Sequence, residues 1–177
     1  LEIWTSTSPY PDPSDPGVDD RDEVLNSFVA YRESSWTGDL AGLVTQLNIG
    51  GLAAGFSGLC NSDRSESMCI SGLSGGGIGT YPNYAFNVYI TCHEFGHLFG
   101  SRHTHACVWN GNSTAIDGCS GFTEGGCALP SSPSGGGTIM SYCWNSVGID
   151  FTQGFGPQPG ALIRNNVNAA PCLTSCC

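Results

Sequence analysis

The sequence predicts an α+β fold in a single domain, with short strands in its first half, one central helix and a loop-dominated second half. Three features lead there. Strand-like pieces recur at 1–7, 40–47 and 51–59; apolar residues fall at helical spacing in about 20–34, 84–99 and 159–168; and residues 100–137 scatter cysteines through glycine-rich sequence without either period.

In chain order, residues 1–7 read as a strand and are followed by a Pro/Asp-rich loop. Asp19 or Asp20 can cap the first helix, which runs to about Ser34 with Val24, Leu25, Phe28 and Val29 on one face. Residues 40–47 alternate as a strand does, and the Gly-rich apolar piece 51–59 reads as an edge strand. Residues 60–83 read as loop, with Gly75-Gly76-Gly77 and a stop at Pro82. The second helix, 84–99, carries Phe86, Tyr89, Ile90, Phe95, Leu98 and Phe99. The last, 159–168, has Pro159 in its first turn and Leu162, Ile163 and Val167 facing inward. No internal repeat or long linker divides the 177 residues.

Composition excludes several functions. The formal charge is −10, from five Arg and no Lys against fifteen acidic residues, so neither nucleic acid nor an anionic membrane surface is an expected partner. No apolar run approaches the roughly 20 residues that span a bilayer. The chain begins Leu1-Glu2-Ile3-Trp4 without a leader, and is read as a processed product. Ten Cys lie mostly in loop sequence, at Cys60, Cys69, Cys107, Cys119, Cys127, Cys143, Cys172, Cys176 and Cys177, with no Cys-x-x-Cys pair. A disulfide framework, and therefore an extracellular protein, is expected; Cys92 is expected to be bridged or buried. Asn112-Ser113-Thr114 is a glycosylation sequon for a eukaryotic producer.

All four His fall between 93 and 105, and three of them lie in His93-Glu94-Phe95-Gly96-His97-Leu98-Phe99-Gly100-Ser101-Arg102-His103. Residues four apart share a helix face, so His93 and His97 can aim imidazole nitrogens at one ion. Glu94 sits beside that ion but not on it, where a general base for a bound water belongs. Gly100 can take the positive φ that turns the chain back and brings His103 in as third ligand. Three neutral His leave a fourth position for water, the mark of a catalytic zinc. A structural zinc with Cys92 or His105 as fourth ligand is the alternative, and such a site has no use for Glu94.

The extended motif, followed 37 residues after His103 by Met140 in Gly137-Thr138-Ile139-Met140-Ser141-Tyr142-Cys143, resembles the zinc site and Met-turn of the metzincin metallopeptidases. Residues 38–45 and 51–60 are most similar to the adamalysin/reprolysin branch. The resemblance implies a three-layer catalytic domain: a twisted mixed sheet with an antiparallel edge strand, a long active-site helix, an upper subdomain 1–103 and a Cys-rich lower subdomain 104–177 with the Met-turn and a C-terminal helix. It implies that Met140 floors the metal and that Gly51, Ala53, Ala54, Gly55, Phe56 and Ser57 form an edge to which an extended substrate adds as a strand. Val147, Ile149 and Phe151 become candidates for the specificity pocket. Tyr142, two residues past the Met, resembles a Tyr of the astacin and serralysin branches that approaches the zinc and the oxyanion.

Three departures from that pattern stand out. Leu1-Glu2-Ile3-Trp4 resembles the second strand of the family domain, so an upstream strand and helix are expected to be cleaved, on a separate chain, or absent. Asp39 lies near a family calcium ligand, but calcium is not supported without the N-terminal acidic ligand. Thr104 and His105 follow the third His where reprolysins commonly carry Asp. His105 is a spare ligand, a hydrogen-bond donor behind the ligands or an exposed side chain, and the last is expected. The function implied is a secreted zinc endopeptidase that cleaves internal peptide bonds of proteins through a zinc-bound water with Glu94 as base, working as a monomer or with a cleaved N-terminal segment. The alternative is a catalytically silent, disulfide-stapled binding module.

Overall fold

The computed structural model describes residue 10 and residues 21–32, 36–73 and 85–173. The strand expected at 1–7, the caps at Asp19 and Asp20, the triple glycine, Pro82 and the last two cysteines lie outside the described residues. The chain falls into two compact units, Leu1–Leu98 and Phe99–Cys177.

The first unit is a small mixed sheet with helices packed against it. Helix α1 (Arg21–Arg32) has Asp22 and Glu23 in its first turn and Arg32 in its last, each opposing the helix dipole. It buries Val24, Leu25 and Phe28. Strand β1 (Ala41–Thr45) runs parallel to β3 (Met68–Gly72), and β2 (Gly51–Ala53) lies antiparallel on the other side of β3. The sheet is mixed with an antiparallel edge strand, as expected.

Side-chain alternation assigns the two faces. Leu43 pairs with Ile70 and Leu52 also pairs with Ile70, so these residues and Met68 share one face. That face forms the core with Val24, Leu25 and Phe28 of α1 and with Tyr10, whose ring meets Phe28 edge-on at 5.6 Å. Most of the alternate positions are small, at Gly42, Gly51, Ala53, Cys69 and Ser71, and the larger Val44 is exposed. A Cβ at Gly42 would lie 2.8 Å from the Phe95 ring, so the bare face lets helix α2 (Ala85–Leu98) approach closely. The missing side chains are what bring α2, and the motif it carries, against the sheet.

Two expectations need correction. Residues 60–83 do not form one loop, because β3 lies within them. Asp63 starts a 3-10 turn, Arg64–Ser67, accepting from Ser65 N at 3.0 Å and Ser65 Oγ at 2.6 Å, and the chain then enters β3. All five β3 residues are buried, and a strand covered on both faces shows no alternation to read. The edge strand is also shorter than 51–59. Pairing continues through Ala54 N to Met68 O at 2.9 Å, then Gly58 N turns to Leu98 O at 3.0 Å and Cys60 takes φ 57°.

The second unit is ordered by disulfides and backbone pairing more than by regular structure. Cys107–Cys127 and Cys119–Cys143 are bonded, and Cys172 also lies in a disulfide, as does Cys60 of the first unit. Cys69 and Cys92 are free thiols: Cys69 is buried outside the expected framework, and Cys92 is half-buried rather than bridged. Isolated bridges join Ala106 to Glu124, Trp109 to Thr114 and Gly137 to Ile149. Helix α3 (Pro157–Ala169) starts two residues before the expected point, with Gly156 at φ 77° and Pro157 at its start. Its Leu162, Ile163 and Val167 are half-buried, while Pro159 and Gly160 are buried. Among the described residues no helix is long and apolar enough to cross a membrane.

Candidate metal centre

Helix α2 brings together His93, Glu94 and His97, all buried. The Nε2 atoms of His93 and His97 are 3.2 Å apart, with the rings nearly perpendicular. Two nitrogens bound at about 2.0–2.1 Å to one tetrahedral ion would be separated by about 3.3 Å, so the pair fits a zinc-type metal without rearrangement. Tyr89 tilts against His93 at 5.3 Å between ring centroids, and Phe56 meets His97 edge-on at 5.2 Å. These contacts hold the imidazoles in apolar surroundings, where direct ligand bonds are least challenged by water.

Burial pushes the Glu94 carboxyl up to about 8, with Arg21 pulling the other way. A carboxyl taken out of water on the same helix as two metal-type ligands is suited to holding and moving a proton. The strand next to it is shaped around it: a Cβ at Gly51 would overlap the Glu94 carboxylate and lie 2.6 Å from its Cγ. Gly51 is thus the point where main chain closes on the candidate base. Sequence reading placed Gly51 on a binding edge and missed this second role, although a strand glycine is itself a sign of close approach. Gly55 stands in the same relation to Glu66, whose carboxylate a Cβ there would overlap.

In the second unit, Gly100 takes φ 102°, the turn expected of it. Beyond it, residues 103–107 are pinned from several loops. Trp109 Nε1 donates to His103 O at 2.7 Å, Thr104 N to Met140 O at 3.0 Å, Ile116 N to Thr104 O at 2.7 Å and Glu124 N to His105 O at 3.0 Å. Met140 is fully buried in a tight turn closed by Ser141 N to Thr138 O at 3.0 Å. The His103 ring stacks on His105 at 4.8 Å with 9° between planes, and Tyr142 lies 4.7 Å from each. His103 Nδ1 meets Glu124 Oε1 at 2.7 Å.

His105 is fully buried, not exposed as expected. Its Nε2 lies 3.2 Å from Glu124 Oε1, in poor alignment, and neither ring nitrogen completes a good hydrogen bond with a described group. Burial pulls its pKa below the usual imidazole range, against the opposing pull of Glu124 and Asp117. Asp117, Cys119 and Cys143 also cluster, but both sulfurs are committed to their disulfide and offer no thiolate. Val147 and Phe151 are exposed and Ile149 is half-buried.

A mixed α+β protein with a buried His-Glu-x-x-His helix belongs, as a class, with the metallopeptidases. Residues 1–152 match a reprolysin family model described as Metallo-peptidase family M12, and the chain belongs to that family. A search of curated proteins finds no match. The likeness to the reprolysin branch is therefore borne out over most of the chain.

Proposed function

We propose that this chain is a secreted zinc endopeptidase that cleaves internal peptide bonds of proteins, with His93, His97 and His103 as metal ligands and Glu94 as general base. The observation that carries the reading is the 3.2 Å pair of imidazole nitrogens on the helix that also carries the buried Glu94. His93, His97 and His103 would hold the zinc, which when bound would supply Lewis acidity toward the scissile carbonyl and the attacking water. Glu94 takes the proton of the attacking water and hands it to the leaving amine. Tyr142, packed on His103, is assigned to donate a hydrogen bond to the developing oxyanion of the substrate. Met140 gives the ligands their apolar floor.

The substrate lies extended along the edge formed by Gly51, Ala53, Ala54, Gly55, Phe56 and Ser57. In support, β2 is the last strand of the described sheet on that side and has main-chain groups to offer. Val147, Ile149 and Phe151, following the Met-turn, line the pocket for the residue after the cut. Residues 1–103 and 104–177 are assigned to the upper and lower subdomains of a three-layer metzincin domain that works as a monomer. Disulfides at Cys60, Cys107, Cys119, Cys127, Cys143 and Cys172 support an oxidising, extracellular setting.

Cleavage of a mixed fluorogenic peptide library tests the reading. Activity should be removed by a chelator, restored by zinc and cut about 10²–10⁴-fold in Glu94→Ala. A folded chain that binds one zinc and cleaves nothing would instead mark a binding module.

A further inference from the structure

We propose that Glu124 is the positioning residue of the third ligand: its carboxylate accepts a hydrogen bond from Nδ1–H of His103 and thereby orients the ring to offer Nε2 to the metal. The proposal rests on the reading of His103 as a zinc ligand and adds a residue that the zinc motif does not contain. An imidazole has two nitrogens, and the hydrogen bond made by one decides the tautomer offered by the other. The 2.7 Å separation of His103 Nδ1 and Glu124 Oε1 is that of a charge-assisted bond. With Nδ1 as the donor to Glu124, the tautomer carries its lone pair on Nε2, the form that a metal ligand needs.

The backbone supplies the precision. Glu124 N donates to His105 O at 3.0 Å, and Cys107 N donates to Glu124 O at 2.8 Å. The stretch carrying Glu124 therefore pairs directly with the stretch that follows His103, and the Cys107–Cys127 disulfide closes the loop that delivers it. The fully buried His105 packs against the pair. Its ring lies parallel to His103, and its Nε2 stands 3.2 Å from the same carboxylate oxygen. That oxygen thus lies within reach of one ring nitrogen of each of the two stacked imidazoles.

The rival use of the same atoms is a second metal site of His103, His105 and Glu124, whose ligand atoms lie within 4.8 Å of one another. It would require the neutral His103 ring to lose its one N–H proton and bridge two ions as an imidazolate, whereas a neutral imidazole satisfies a metal and a carboxylate at once.

The test uses the full disulfide-bonded chain, with zinc as the probe in competition with a chromophoric chelator. Glu124→Ala should bind zinc about 10–100-fold more weakly than the wild type. Glu124→Gln, whose amide oxygen still accepts, should recover part of that loss. The imidazole Nδ1–H resonance of His103 should be downfield in the zinc-loaded wild type and lost in Glu124→Ala, a signature that a purely structural role would not move. Unchanged affinity in Glu124→Ala, beside a His103→Ala variant that loses zinc, would overturn the positioning role and leave the ligand assignment standing. Wild-type affinity in His103→Ala would overturn the ligand assignment beneath it. Two zinc ions per wild-type chain, reduced to one by His105→Phe, would assign the cluster to a second metal and overturn the proposal.

Discussion

At the scale of single residues, the motif His93 to His103 was legible because ligand chemistry and helix geometry constrain each position independently. What surrounds it was not. Nothing in the sequence couples Gly51 to Glu94 across 43 positions, and His105, a polar residue in a polar stretch, gave no sign that it would be fully buried. Two predictions belong here. Glu94→Ala should keep zinc and lose about 10²–10⁴-fold in kcat, measured against zinc content of the purified chain. Gly51→Ala is the more discriminating variant. The new Cβ displaces the Glu94 carboxylate, and a shift of about 1 Å at a reacting group costs about 10²-fold in rate, while zinc binding through His93 and His97 is untouched. Steady-state kinetics should show kcat falling with KM nearly constant; unchanged kcat would mean that Glu94 does not act from its present position.

At the scale of elements, α2 and α3 announced themselves by length, periodicity and proline placement, whereas β3 was hidden by its own burial. A five-residue strand covered on both faces reads as an apolar interlude, and the expectation of a loop there failed for that reason. Its central position makes it the most sensitive part of the first unit. Ile70, fully buried and paired with both Leu43 and Leu52, should cost about 2–5 kcal/mol when replaced by Ala, read as a drop in denaturant midpoint without a change in slope. The second unit depends on other devices. The loop closed by Cys107–Cys127 spans 20 positions of sequence separation, which corresponds to about 3 kcal/mol of unfolded-state entropy. Asp150 is a smaller device of the same kind. It caps the 3-10 turn Phe151–Gln153, and hydrogen bonds from Thr152 and Gln153 hold its carboxyl below the usual range. A depressed carboxyl contributes stability above its unfolded pKa of about 4 and loses it as pH falls through the folded value. Asp150→Ala should therefore lower Tm at pH 7, and the gap from wild type should narrow as thermal scans are taken to more acid pH.

At the scale of the whole molecule, the family and the mixed α+β class follow from a few short segments, because a metal motif on a helix beside a small sheet has few architectures open to it. The order of the second unit could not be read in the same way. Its cysteines predicted a framework but not the pairs, and its backbone pairing runs through loops that carry no period. The metal should consequently matter to the stability of the fold as well as to the reaction. A ligand that binds the folded chain alone stabilises it by RT ln(1 + [L]/Kd), about 2.7 kcal/mol when free zinc exceeds Kd a hundredfold. Thermal unfolding followed at several buffered zinc concentrations should show Tm rising with the logarithm of free zinc, and chelation should return it to the metal-free value. His93→Ala and His97→Ala should flatten that dependence, because each removes one of the two nitrogens standing 3.2 Å apart. If Tm rises with zinc equally in the wild type and in both variants, the metal is binding elsewhere, and the His93–His97 pair is then no more than two buried imidazoles sharing a proton.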